Sequence, residues 1–141
     1  MKFFLDANIL FSGAKSEGAI RQLVHRLCSD HHQCWVDAYV VEEARRNLLI
    51  KYPDRLEDLF QLLELMHFLE VLLHDLPAEL KPLLPEKDQP VLAAAIHLQC
   101  DGLITGDRTH FGSLYGKTIA EVTIYSPRGV AELLYGEKQI N

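Results

Sequence analysis

The sequence predicts a single α/β domain over residues 1–141, three-layered (α/β/α) around a mostly parallel sheet of about five strands. Three observations predict it. Short apolar runs alternate with amphipathic stretches along the whole chain. No internal repeat, low-complexity tract or linker interrupts them. The length of 141 residues, 48% hydrophobic and 24% charged, suits one domain with a core of its own.

The elements follow in order. Residues 3–5 form an apolar strand at the N-terminus, and Asp6 follows it as a turn residue. Ser16 is placed to cap a helix whose Ile20, Leu23, Val24 and Leu27 share one face. A second strand covers 34–36, and a helix over 38–51 stops before Pro53. Asp54 can cap a further helix carrying Leu56, Leu59, Phe60 and Leu63, a stripe read as core. A third strand is expected at 69–72, then a turn-rich connector over 77–85 with one helical turn. Asp88 can cap a helix reaching Gln99, with Pro90 tolerated in its first turn. The run Val91-Leu92-Ala93-Ala94-Ala95-Ile96 is apolar on nearly all sides, so this helix is expected to be buried. Strands at 103–105 and 122–125 follow, and Ser126-Pro127 opens a last helix.

Composition narrows the function. No stretch approaches the roughly 20 apolar residues that span a bilayer, and the apolar N-terminus is too short for a signal peptide. The cytoplasm is the expected location. Three cysteines, Cys28, Cys34 and Cys100, make no disulfide framework. Cys28, His32 and Cys34 could touch zinc, but they lack a fourth ligand, and a helix-to-strand loop is the preferred reading. A formal net charge of −6 argues against a basic nucleic-acid grip across the whole surface. Cations held by carboxylates can still attract phosphate locally.

The acids carry the chemistry. In a parallel α/β sheet, ligands bind outside the carboxyl ends of the strands. Asp6 and Asp107 each follow a strand end, while Glu43 and Asp88 lie near helix starts, so all four can face one crevice. Singly, each has an ordinary explanation: Asp6 a turn, Asp88 and Asp107 helix caps, Glu43 a solvated helix residue beside Glu42. Together, four carboxylates repel unless a cation neutralises them. Hard oxygen ligands suit Mg²⁺ or Mn²⁺, whose chemistry on phosphate suggests phosphodiester hydrolysis.

The segments LDANIL, VVEEARRNL, KDQPVLAAAI and LITGDRTHF, in this order, resemble the four motifs of the PIN-domain family. The resemblance covers most of the chain and selects Glu43 over Glu42. It implies a flavodoxin-like, PIN-like fold and a metal-dependent endoribonuclease acting on RNA. Many relatives are VapC-type toxins inhibited by an antitoxin, and homodimers are common. Carried over by motif, Asp6, Glu43, Asp88 and Asp107 are the catalytic and metal-binding acids, with Mg²⁺ or Mn²⁺ as cofactor. Asn8, Ser12 and Thr105 fall on supporting polar positions, for which turn and cap hydrogen bonding is an equal explanation. Arg46 and Arg108 are candidates to steer the RNA backbone, as are Arg45 and Lys87; salt bridges are the plainer use of any one of them.

Two departures stand out. Ala7 replaces a hydroxyl residue found in many members. His110 stands where many carry a further Asp. It could contact phosphate or a metal-bound water, or simply pack beside Phe111. The competing function is a catalytically silent PIN-like protein-interaction module. A haloacid-dehalogenase-like phosphatase would need Asp at position 8, which is Asn, and no glycine-rich phosphate loop follows the first strand.

Overall fold

The computed structural model describes residues 1–70 and 75–136. Its centre is a six-stranded sheet: β1 (Lys2–Leu5), β2 (Gln33–Asp37), β3 (His67–Leu69), β4 (Gly102–Ile104), β5 (Thr118–Ile119) and β6 (Val122–Tyr125). The strand order is β3-β2-β1-β4-β6-β5. Every pairing is parallel except the short β5–β6 hairpin, which supplies the sixth strand. The mostly parallel α/β class is as expected, with one strand more. The third strand begins earlier than expected, and residues 71 and 72 of that expectation lie outside the described residues. The fourth shifts by one residue, leaving Thr105 just past the strand end.

Parallel strands covered on both faces are buried throughout. Phe3, Phe4 and Leu5 are accordingly fully buried, as are Leu103 and Ile124. Helices α1 (Ala7–Lys15), α2 (Ala19–Ser29), α3 (Ala38–Lys51) and α4 (Leu56–Leu63) connect strands that progress in one direction across the sheet. Right-handed crossovers place such helices on one face. The return connection, through α5 (Gln89–His97), lies on the other face and packs on β1 and β4. A short helix α6 (Arg108–Phe111) follows β4, and α7 (Pro127–Tyr135) closes the described chain.

Several local expectations are corrected. Asp6 is not a simple turn residue; it caps α1, a nine-residue helix absent from the expected elements. Helix α1 is packed against α2, α3 and α4, with Ala7, Ile9, Leu10, Gly13 and Ala14 all buried, and its polar side is narrowed to Asn8, Ser12 and Lys15. A Cβ on Gly13 would stand 2.9 Å from Leu62 Cδ2, which explains a glycine inside this helix. Helix α2 starts from Gly18 rather than Ser16. Asp54 lies in a 3₁₀ turn (Pro53–Arg55) and does not cap α4, whose buried residues are Leu59 and Leu62; Phe60 is half exposed. Asp88 ends a 3₁₀ turn (Glu86–Asp88), and its side chain makes no capping hydrogen bond to α5. Two predicted caps are present: Ser126 Oγ accepts from Gly129 N–H at 2.9 Å, and Asp107 Oδ1 from His110 N–H at 3.1 Å.

Among the described residues no helix is long and apolar enough to cross a membrane. Cys28, His32 and Cys34 do not gather as a metal group. His32 Nδ1 instead sits 2.8 Å from the Met1 amine, and the loop reading of this segment stands.

Candidate active site

Chain order reverses between β1 and β4, which lie side by side while the strands that follow β1 and those that follow β4 run to opposite edges. Such a switch point opens a crevice beyond the strand ends. Asp6 follows β1 there, and Thr105, Gly106 and Asp107 follow β4.

Asp6 is 4% exposed and held from three sides. Its Oδ1 accepts from Ala7 N–H at 2.8 Å. Its Oδ2 accepts from the Thr105 hydroxyl at 2.8 Å and from Asn8 Nδ2 at 3.2 Å. Asn8 Oδ1 in turn accepts from Gly106 N–H at 2.7 Å, and Thr105 Oγ1 accepts from Asp107 N–H at 3.2 Å. Asn8 and Thr105 thereby tie the two strand ends together. A Cβ on Gly106 would stand 3.3 Å from Asn8 Oδ1, so glycine lets the backbone approach. Burial pushes the Asp6 carboxyl up to about 6; the Thr105 and Ala7 hydrogen bonds oppose this, and the charges of Glu43 and Asp88 add to it.

Asp88, Asp107 and His110 form the tightest group, with one ligand atom from each within 4.8 Å of the others. His110 Nδ1 lies 2.8 Å from Asp88 Oδ2 and 2.9 Å from Asp107 Oδ2. Burial raises the Asp88 carboxyl above its usual range, while the charges of His110 and Lys87 oppose that. Asp88 Oδ2 and His110 Nδ1 are both buried, yet neither has a hydrogen-bond partner. The short separations are ion-pair contacts whose alignment is poor for a hydrogen bond. Buried polar atoms left in this state ask for another partner. Two carboxylates and an imidazole are ordinary ligands of a divalent cation, so the residues fit one.

Glu43 is half-buried on α3, and its charge acts on Asp6 and on Tyr39. Glu42 faces solvent and pairs with Arg45 at 2.7 Å. The choice of Glu43, made by motif, therefore agrees with which acid lies in range of Asp6. Ser12 lies on α1 four residues after Asn8, on the same helix side. Arg46 is exposed; its Nε reaches the Glu42 carbonyl at 3.4 Å, and its charge is felt at Tyr39. Arg108 lines a cleft of about 600 Å³ with Gly106, Tyr115, Ser126 and Pro127. His110 is brought into the acid group rather than merely beside Phe111.

Three residues near the site escaped the sequence reading. Tyr39 donates its hydroxyl to the Lys87 carbonyl at 2.5 Å, bridging α3 to the turn before α5. Its position four residues before Glu43, on one helix side, was an available signal. Tyr115 donates to the Thr105 carbonyl at 2.8 Å, with no signal in the sequence. Asp37 is buried at the end of β2 and caps α3 through Val40 N–H at 3.1 Å. The segment VDAY around it repeats the strand–Asp–Ala pattern of LDAN.

A family model described as PIN domain matches residues 2–109. Among solved structures, VapBC2 from Rickettsia felis, bound to a DNA fragment from their promoter, has a similar fold. Its TM-score is 0.63 at 15% identity, over 89% of this chain and 98% of that one. VapBC-1 from nontypeable Haemophilus influenzae is similar at TM-score 0.57 and 16% identity, over 90% of this chain and 98% of that one. Comparison with curated proteins gave no match.

Proposed function

This chain belongs to the PIN-domain family, and from that premise we propose that it is a metal-dependent endoribonuclease whose single domain hydrolyses RNA phosphodiester bonds. One observation carries the reading. Asp88 and Asp107 converge on His110 beside Asp6, at the switch point of the sheet, with Asp88 Oδ2 and His110 Nδ1 buried and without a hydrogen bond.

Asp88 and Asp107 would hold a Mg²⁺ or Mn²⁺ ion, with Asp6 and Glu43 completing the acidic set. When bound, such an ion neutralises phosphate charge and acidifies a coordinated water. The protein's own part is orientation and proton handling. Thr105 and Asn8 fix the Asp6 carboxylate, and Asp107 is fixed by capping α6. Glu43 orients the attacking water and accepts its proton. A new O–P bond forms in line as the P–O3′ bond breaks, and the leaving O3′ takes a proton from solvent water, giving a 5′-phosphate and a 3′-hydroxyl. Arg108 and Arg46, on the rim, are placed to draw in the RNA backbone.

The VapBC assemblies with the same fold support a further reading. This chain is the toxin of a two-protein pair, with a VapB-type antitoxin as partner. A neighbouring short reading frame whose product binds this chain and suppresses its activity is the expected finding.

Defined single-stranded RNAs incubated with Mn²⁺ or Mg²⁺ test the nuclease. Cleavage is expected with metal, lost in EDTA and lost in Asp6→Ala and Asp107→Ala. No metal-dependent cleavage under any condition, or undiminished cleavage by Asp6→Ala, would overturn the reading and favour a silent interaction module.

A further inference from the structure

We propose that His110 is itself a metal ligand, through Nδ1, and that it makes the site select a transition-metal ion such as Mn²⁺ over Mg²⁺. The inference rests on the proposed metal-dependent function and adds to it which ion the site prefers.

The geometry of His110 carries the argument. An imidazole Nδ1 can donate at most one hydrogen, directed along its ring plane. Here it approaches two carboxylate oxygens at 2.8 and 2.9 Å and is aligned with neither. A conventional His–Asp ion pair would direct its hydrogen at one of them. Ligands at right angles around an ion with bonds of about 2.1 Å stand about 3.0 Å apart, close to both separations.

The backbone position of His110 is fixed by its neighbours. Asp107 uses Oδ1 to cap the His110 backbone N–H and turns Oδ2 toward the His110 ring. Phe111, next in the chain, is fully buried and anchors α6 in the core. Asp88, 8% exposed, approaches from the turn before α5 with its unpartnered Oδ2. The backbone of His110 is therefore held where its ring meets both carboxylates.

Donor chemistry then sets the preference. Mg²⁺ takes oxygen ligands and keeps its waters, whereas imidazole nitrogen suits transition metals. A third carboxylate at this position would be a hard-oxygen ligand favouring Mg²⁺. Histidine brings nitrogen and removes one negative charge, and both changes disfavour Mg²⁺.

The test compares metals on the EDTA-treated full chain. By calorimetry, the wild type is expected to bind Mn²⁺ at least about tenfold more tightly than Mg²⁺. His110→Ala should weaken Mn²⁺ binding about tenfold or more and leave Mg²⁺ within about threefold; His110→Asp should bring the two ions close to parity. Pulsed electron paramagnetic resonance of bound Mn²⁺ should show nitrogen modulation in the wild type and none in His110→Ala. The wild-type spectrum decides even if a variant fails to fold. Mn²⁺ binding without nitrogen modulation, or an unchanged Mn²⁺ to Mg²⁺ ratio in folded His110→Ala, would overturn the His110 assignment and leave the nuclease reading standing. Failure of the wild type to bind either ion would overturn both.

Discussion

Replacing Asp6 by Asn should stabilise the metal-free protein while removing its metal dependence. Burial holds the Asp6 carboxyl near 6, against an ordinary value of 3.8. Between those values the folded state carries a proton that the unfolded state has lost. Unfolding free energy therefore falls as pH rises through this window, and the deficit is complete above about pH 6. The difference of about 2.2 in pKa corresponds to about 3 kcal/mol at pH 7.5. Asn removes that charge. It keeps an oxygen for Ala7 N–H but takes away the oxygen that the Thr105 hydroxyl and Asn8 Nδ2 both use, costing about 2 kcal/mol. The net gain is about 1 kcal/mol. With an unfolding entropy of about 0.3 kcal/mol/K for a chain of this length, Tm should rise by roughly 3 °C.

The assay is thermal unfolding of wild type and Asp6→Asn in EDTA at several pH values from 3.5 to 8. The variant should be the less stable at the acid end and the more stable once pH has risen through 4 to 6. Adding saturating Mn²⁺ should reverse their order, because only the wild type gains binding energy. An Asp6→Asn variant less stable than wild type at pH 7.5 in EDTA would refute the reasoning. So would a difference that does not change with pH.

Two further outcomes follow from the packing. Thr105→Val removes a fully buried hydroxyl that donates to Asp6 and accepts from Asp107 N–H. It should cost about 2–3 kcal/mol in urea unfolding and loosen metal binding, whereas Thr105→Ser should keep most of both. Gly102→Ala places a Cβ 2.7 Å from the Tyr125 ring and 3.0 Å from Phe3, which is itself fully buried. A loss of about 1–3 kcal/mol is expected, against a smaller loss for Gly13→Ala, whose Cβ has one close contact, the side-chain end of Leu62 at 2.9 Å. Equal losses at the two glycines would contradict this account.

Apolar runs alternating with amphipathic helices were enough to predict the parallel sheet, because burial on both faces leaves a strand such as Phe3-Phe4-Leu5 no polar position. Asp6 and Asp107 were legible for the same reason: in such a sheet, a strand end is where the site must be. Helix α1 was not legible. Three other helices pack on it, so its polar stripe is narrowed to Asn8, Ser12 and Lys15, and Gly13 weakens its helical signal for a packing reason visible only in three dimensions. Ser16 and Asp54 have cap chemistry but lie outside the turns that begin α2 and α4, and local propensity yields to where the chain must cross the sheet.

What the sequence determined by itself was the parallel α/β class and that Asp6 and Asp107 follow strand ends, since strand alternation is a local property of the chain. What only the tertiary structure decided was which groups touch. Asp88 and His110 lie 22 positions apart and meet because β4 returns beside β1, bringing α6 against the turn before α5. That contact turns Asp88 from an apparent helix cap into an unsatisfied buried carboxylate. It sets His110, a departure from the family motif, between the carboxylates of Asp88 and Asp107.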